Sequence, residues 1–179
     1  MTHTNRTNAI EVSVIVPVLE RHDDLAAVYQ SHKAVLDRLD RPYEFIFVVD
    51  GGNEETVKKL EAIGDGEEIL RTIALPRDFG EATALTIGFE RARGEILITL
   101  PAYFQVIPEG IEEVLKTLDQ GYDLVVTRRF PRIDSWVNRV QTVGFHFFVD
   151  RLANVKLHDM SCGVRGIRKQ VVQAVQIYG

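Results

Sequence analysis

With 179 residues, 45% of them hydrophobic and 26% charged, the chain has the bulk for one domain with a proper core and the composition of a soluble fold rather than a disordered or fibrous one. A formal net charge of −5 excludes bulk attraction to nucleic acid. The single cysteine, Cys162, excludes a disulfide within the chain and fits a buried thiol in a reducing compartment.

The first ten residues are polar and read as a disordered tail. No secretory signal or membrane span is expected, which points to the cytoplasm or to a peripheral site at the cytoplasmic membrane face. Glu11 to Pro17 (EVSVIVP) is a β-branched run stopped by proline, the signature of a buried strand. Leu25, Val28, Tyr29, His32, Val35, Leu36 and Leu39 follow at helical spacing, and Pro42 ends that segment. Tyr43 to Val49 (YEFIFVV) is a second buried strand. Gly51 and Gly52 then allow a tight turn, and Asn53 can cap a helix through Leu60. Ile69 to Leu75 is a third strand. Phe79 to Ala92 is a helix with Gly94 beyond its end. Glu95 to Leu100 (EILITL) is a fourth strand, Pro108 starts a helix to about Leu118, and Tyr122 to Thr127 is a fifth strand. Asp134 or Ser135 can cap a long helix to about Val155. On it Trp136, Val140, Val143, Phe147 and Phe148 form one stripe, which packs on the core or, with flanking arginines, on a membrane surface.

Strands and helices alternate almost strictly, so the expected fold class is α/β, with a mainly parallel sheet and helices on both faces. Ligands of such sheets bind beyond the carboxyl ends of the strands. The segments to read for function are therefore Leu19 to Arg21, Asp50 to Asn53, Arg77 to Glu81, Pro101 to Gln105 and Thr127 to Arg132. Basic residues crowd the last third, Arg128, Arg129, Arg132 and Arg165 among them. They offer an anion-binding face or, equally, solvated surface.

Read in order, these segments resemble glycosyltransferase family 2, in its polyisoprenyl-phosphate (dolichyl-phosphate mannosyltransferase-like) branch. The resemblance rests on the whole set. Val14 to Leu19 is similar to the family's opening strand and Val-Pro-x-Tyr end, and Glu44 to Gly51 to its second strand and Asp-Asp-Gly-Ser turn. Arg77-Asp78-Phe79-Gly80 is similar to Arg-Asn-Phe-Gly, and Ala92-Arg93-Gly94 is shared. Phe104-Gln105 with Pro108-Glu109 resembles Leu-Gln-Asp-Pro-Pro-Glu. Arg129, Arg132, Asp134-Ser135-Trp136 and Asp159-x-Ser161-Cys162-Gly163-Val164-Arg165 fall at the family's spacing. The resemblance implies a GT-A (nucleotide-diphospho-sugar transferase) fold over residues 11–179, with room for a shortened C-terminus. It also implies inverting transfer of a sugar from a nucleotide-sugar to a lipid phosphate at a membrane surface, with homo- or hetero-oligomers open. The alternative is an inactive GT-A-like domain that binds or scaffolds a partner.

On this resemblance the nucleotide-sugar would touch Pro17, Leu19, Glu20, Asp50, Gly51, Ala102 and Gln105. Arg129, Arg132, Ser135 and Arg165 would take donor or acceptor phosphate. Asp159 is a weak catalytic candidate, since a phosphate acceptor is already ionised and needs no base. Asp50 has a competing reading as a turn residue bonded to its own backbone, and Ser135 as a plain helix cap. The family's Asp-x-Asp motif, which holds Mg²⁺ or Mn²⁺, falls on Pro101 and Tyr103. Neither side chain replaces a carboxylate, because proline has no ligand atom and a phenol with a pKa of about 10 is a poor one. No metal ligand is therefore assigned. Metal-free charge compensation would fall to arginines, with Arg21 a new candidate beside Arg128, Arg129, Arg132 and Arg165.

Overall fold

A computed structural model of the chain describes residues 9–64, 68–127 and 162–174. In chain order the elements are β1 (Val12–Val18), α1 (Leu25–Leu36), β2 (Tyr43–Val49), α2 (Glu54–Gly64), β3 (Leu70–Ala74), α3 (Glu81–Arg91), β4 (Ile96–Thr99), α4 (Gly110–Asp119), β5 (Leu124–Val126), β6 (Arg165–Arg168) and α5 (Lys169–Ala174). The tail at residues 1–8, Arg129, Arg132, Ser135, Asp159 and the helix expected to reach Val155 lie outside the described residues.

The six strands form one sheet in the order β3-β2-β1-β4-β6-β5. β1, β2, β3 and β4 pair in parallel, as βαβ alternation requires, while β6 runs antiparallel to both β4 and β5. The sheet is thus mixed at one end. Hydrophobic patterning does not encode strand direction, so this reversal had no sequence signal.

The central strands are buried on both faces, which is why β1 and β2 read as continuous apolar runs. Val12, Val14, Val16, Phe45, Phe47, Ile96 and Ile98 face a layer built on Leu25, Tyr29 and Leu36 of α1, Leu60 of α2 and Ile111, Val114, Leu115 and Leu118 of α4. Ile15, Ile46, Val48 and Leu97, from the alternate positions, face Ala84 and Phe89 of α3 and Val172 of α5. A Cβ at Gly88 would collide with the Ile15 side chain, so α3 lies close on β1.

At the amino ends of the strands sits a carboxylate with no exposure. Glu44 of β2 accepts the Ser13 hydroxyl of β1 (2.7 Å), the Arg71 guanidinium of β3 (3.0 Å), and the Arg93 amide (2.7 Å) and Nε (2.9 Å) just before β4. Ser13 Oγ in turn accepts the Gly94 amide at 2.9 Å. A Cβ at Gly94 would come within 2.9 Å of the backbone of Glu11, Val12 and Ser13, so only glycine lets this turn approach β1 so closely. The Ala92-Arg93-Gly94 motif is therefore structural. Burial alone would raise the Glu44 pKa. The Arg93 amide, the Ser13 hydroxyl and the two guanidiniums outweigh it and hold the group below the ordinary carboxylate value.

Glu44→Gln should therefore lower stability by about 2 kcal/mol, below the usual cost of breaking a buried pair because Arg71 and Arg93 are partly solvated. The depressed pKa means that the contribution is complete above the unfolded value of about 4.3 and is lost as pH falls through the folded value. Urea denaturation of the wild type and the variant should show a gap at pH 7 that closes below about pH 4.

Candidate functional site

The carboxyl ends of β1 to β4 all open on the opposite edge of the sheet, and the antiparallel β6 brings its first residues there too, with Arg165 paired to Thr99. Five loop segments therefore meet at that edge, and named side chains stitch them together.

Asp50 ends β2. Its carboxylate accepts the amides of Phe79 (2.9 and 3.1 Å) and Gly80 (2.7 Å) at the start of α3. Gly80, with φ of 87°, is the N-cap of α3 and has no side chain to cap with. Asp50 supplies the missing acceptor from a neighbouring strand, next to the positive end of the helix. This also explains why α3 begins at Glu81 rather than Phe79. Asp50 thus bonds another segment's backbone, not its own turn. Gly51 has φ of 83°, and a Cβ there would strike Asp78, so the two loops pack directly on one another.

The loop after β1 is locked to the loop after β4. Asp24 caps α1 through the Ala26 and Ala27 amides at 2.9 and 3.3 Å. The Asp23 amide donates to the Ala102 carbonyl (2.9 Å), and Asp23 Oδ2 accepts the Phe104 amide (3.0 Å). The Arg21 guanidinium lies 4.9 Å from the centre of the Tyr103 ring. His32 of α1 stacks on Phe104, with centroids 6.0 Å apart and planes 16° from parallel, while its Nδ1 donates to the Val28 carbonyl at 2.7 Å.

Gln105 joins the loop after β4 to the start of β6. Its Oε1 accepts the Gly163 amide and its Nε2 donates to Tyr103 Oη, both at 2.8 Å. Thr99 closes the arrangement by donating to the Gly163 carbonyl at 2.6 Å. Cys162 is buried, with its sulfur 2.9 Å from Thr127 Oγ1, which fits a structural thiol.

The edge thus gathers the expected Pro17, Leu19, Glu20, Asp50, Gly51, Ala102, Gln105 and Arg165. Pro17 and Ala102 are buried, Leu19, Gln105 and Arg165 half-buried, and Glu20 and Gly51 exposed. Pro17 lies beyond the last β1–β4 pair, Ile15 with Thr99, where a missing amide is tolerated. Asp50 and both ends of the Gln105 amide already serve protein partners. They hold the edge in shape, and any donor contact they make is additional to that. Sequence reading missed Asp23 as a stitch, the seating of Phe104 on His32, and Tyr103 as a platform. Each depends on contact between loops far apart in the chain, for which a single sequence carries no signal.

The loop after β4 does not fit a divalent cation. Its side chains from Pro101 to Val106 include no carboxylate, and Tyr103 Oη is engaged by Gln105. Asp23 and Asp50 are bonded to backbone amides. Among the described residues no three His, Cys, Asp or Glu side chains gather as a metal would need. Nor is any helix among them long and apolar enough to cross a membrane.

Residues 13–176 match the sequence model of Glycosyl transferase family 2. The undecaprenyl-phosphate 4-deoxy-4-formamido-L-arabinose transferase of Serratia proteamaculans (strain 568) is 30% identical over 167 residues, which is 92% of this chain and 51% of that protein. Its counterpart in Pseudomonas aeruginosa (strain LESB58) is 33% identical over 166 residues, 92% of this chain and 49% of that protein. The chain therefore spans about half the length of these relatives. Among solved structures, glucosyl-3-phosphoglycerate synthase from Mycobacterium tuberculosis, crystallised with Mn²⁺, UDP and glucosyl-3-phosphoglycerate, shares the fold. Its TM-score is 0.72 at 17% identity, over 93% of this chain and 59% of that one.

Two measurements check this geometry. Asp50→Ala should cost about 1–2 kcal/mol in thermal or urea unfolding, the value of a lost helix cap; an unchanged midpoint would mean that the carboxylate holds nothing. Burial pulls the His32 pKa below its ordinary value, against the Val28 carbonyl and Glu109, which favour the charged form. The native state then binds fewer protons than the unfolded chain, so stability is full above about pH 6.5 and drains as pH falls. Between pH 7 and pH 5 the melting temperature of the wild type should drop further than that of His32→Phe.

Proposed function

Since the chain belongs to glycosyltransferase family 2, we propose that it carries the donor-binding half of an enzyme that moves a sugar from a nucleotide-sugar to a polyisoprenyl phosphate. The observation that carries this reading is the stitched carboxyl edge, where the loops after β1, β2 and β4 meet the start of β6. The relatives named for undecaprenyl-phosphate sugar transfer support the acceptor class.

In this reading Pro17, Leu19, Glu20, Asp50, Gly51, Ala102 and Gln105 border the nucleotide and sugar. The half-buried Arg165, beside Thr99, faces phosphate, with Arg129 and Arg132 as further phosphate contacts and Ser135 as a weaker one. An oxygen of the lipid phosphate attacks the anomeric carbon as the bond from that carbon to the donor's β-phosphate oxygen breaks. The electron pair stays on that oxygen. The acceptor dianion becomes a phosphodiester monoanion, and the nucleoside diphosphate leaves with one additional negative charge. The attacking oxygen is already anionic at neutral pH, so the reaction requires no general base, and Asp159 is not needed as one. What it does require is positive charge at the departing diphosphate. In-line attack inverts the anomeric centre.

Incubation of the chain with radiolabelled UDP-sugars or GDP-sugars and undecaprenyl phosphate tests the proposal. Label should appear in the butanol-extractable lipid only when donor and acceptor are both present, and Arg165→Ala should reduce the rate by about tenfold or more. No transfer from any donor would instead mark a binding or scaffold domain without turnover.

A further inference from the structure

Four of the described arginines are neutralised by carboxylates. Arg38 pairs with Glu109, Arg41 with Glu11 and Asp119, and Arg71 and Arg93 with Glu44. Arg21 differs. Among the described residues it has no carboxylate within ion-pair distance. What it has is the ring of Tyr103, 4.9 Å below its guanidinium carbon. That ring is itself held. Tyr103 Oη takes a hydrogen bond from Gln105, and Gln105 is fixed by the Gly163 amide. The neighbouring residues are tied down as well, through Asp23 to Ala102 and Phe104.

A guanidinium that rests on a ring rather than on a carboxylate keeps N–H groups available for oxygen acceptors. The result is a cation of the loop after β1 placed in advance at the carboxyl edge, against the loop after β4 that offers no carboxylate to a divalent ion. We propose that Arg21, seated on Tyr103, is the fixed positive charge that meets the diphosphate of the donor, in place of a divalent metal ion. This rests on the nucleotide-sugar reading above. Tyr103 then acts as a positioning residue, and its phenol serves as a platform rather than a ligand. Binding of the diphosphate should be independent of divalent metal and should depend on the planar, bidentate character of Arg21.

Isothermal titration calorimetry with UDP and GDP, each compared with its nucleoside, tests this in EDTA and again in MnCl₂. At least one diphosphate should bind in EDTA, with an affinity that Mn²⁺ changes less than twofold. Arg21→Ala should weaken the diphosphate by about tenfold or more and leave the nucleoside unchanged. Arg21→Lys should recover only part of the loss, and Tyr103→Ala should weaken the diphosphate several-fold. Lys58→Ala, on the exposed face of α2, should match the wild type. Arg21 is exposed, so its substitution leaves the fold intact and carries the test even if Tyr103→Ala unfolds. A requirement for Mn²⁺, or wild-type affinity in Arg21→Ala, overturns the proposal while the nucleotide reading stands. If UDP, GDP and their nucleosides all fail to bind the wild type, both readings fall, and the Arg21–Tyr103 contact is a plug that closes the edge.

Discussion

Glu44 is the constraint on which the sheet turns. A carboxylate with no access to water is tolerable only if every lone pair is used, and here β1, β3 and the turn into β4 each contribute a donor. Because those donors come from different strands, the group fixes the register of four parallel strands at their amino ends. Their carboxyl ends then arrive level at the other edge. Side-chain alternation makes a slip of one residue exchange the two buried faces, so a polar anchor of this kind gives specificity that apolar packing alone lacks.

At the carboxyl edge charge is divided differently. Asp50, Asp23 and Asp24 spend their carboxylates on backbone amides, where they stiffen loops and cap helices. Those three carboxylates are thus turned to the protein, while Glu20, Asp78 and Glu81 stay exposed; among the described residues Arg21 has no ionic partner, and Arg77 lies 4.8 Å from the Phe79 ring.

Much of the fold was legible in the sequence, for identifiable reasons. The β-branched and aromatic runs of β1 and β2 read as fully buried strands because both faces are covered. The helical spacing from Leu25 was correct through Leu36, after which the chain tightens into a 3-10 turn at Asp37–Leu39 and reverses at Asp40, with φ of 49°. Tertiary contact decided the rest. The first turn expected for α3 was taken over by Asp50, and strand β5 proved shorter than its apolar run because it lies at the sheet edge. The loops after β1, β2, β3 and β4, singled out from topology and motif order, do meet at the carboxyl edge of the sheet. The roles of Asp50 and Gln105 were legible only in part, since their partners at Phe79, Gly80 and Gly163 are found by folding and not by spacing.

The reversal of β6 has a consequence for how such a domain can diversify. β5 ends at Val126 and β6 begins at Arg165, and beside these ends Thr127 Oγ1 touches the Cys162 sulfur and bonds to the Val164 carbonyl at 2.9 Å. Both gateposts stand on the same side, already fastened, so the sheet bears the entropy of closing whatever is threaded between them. With its two ends already fastened, a change in the length of that interval costs the sheet little closure entropy, since each doubling of a loop adds only about 0.6 kcal/mol.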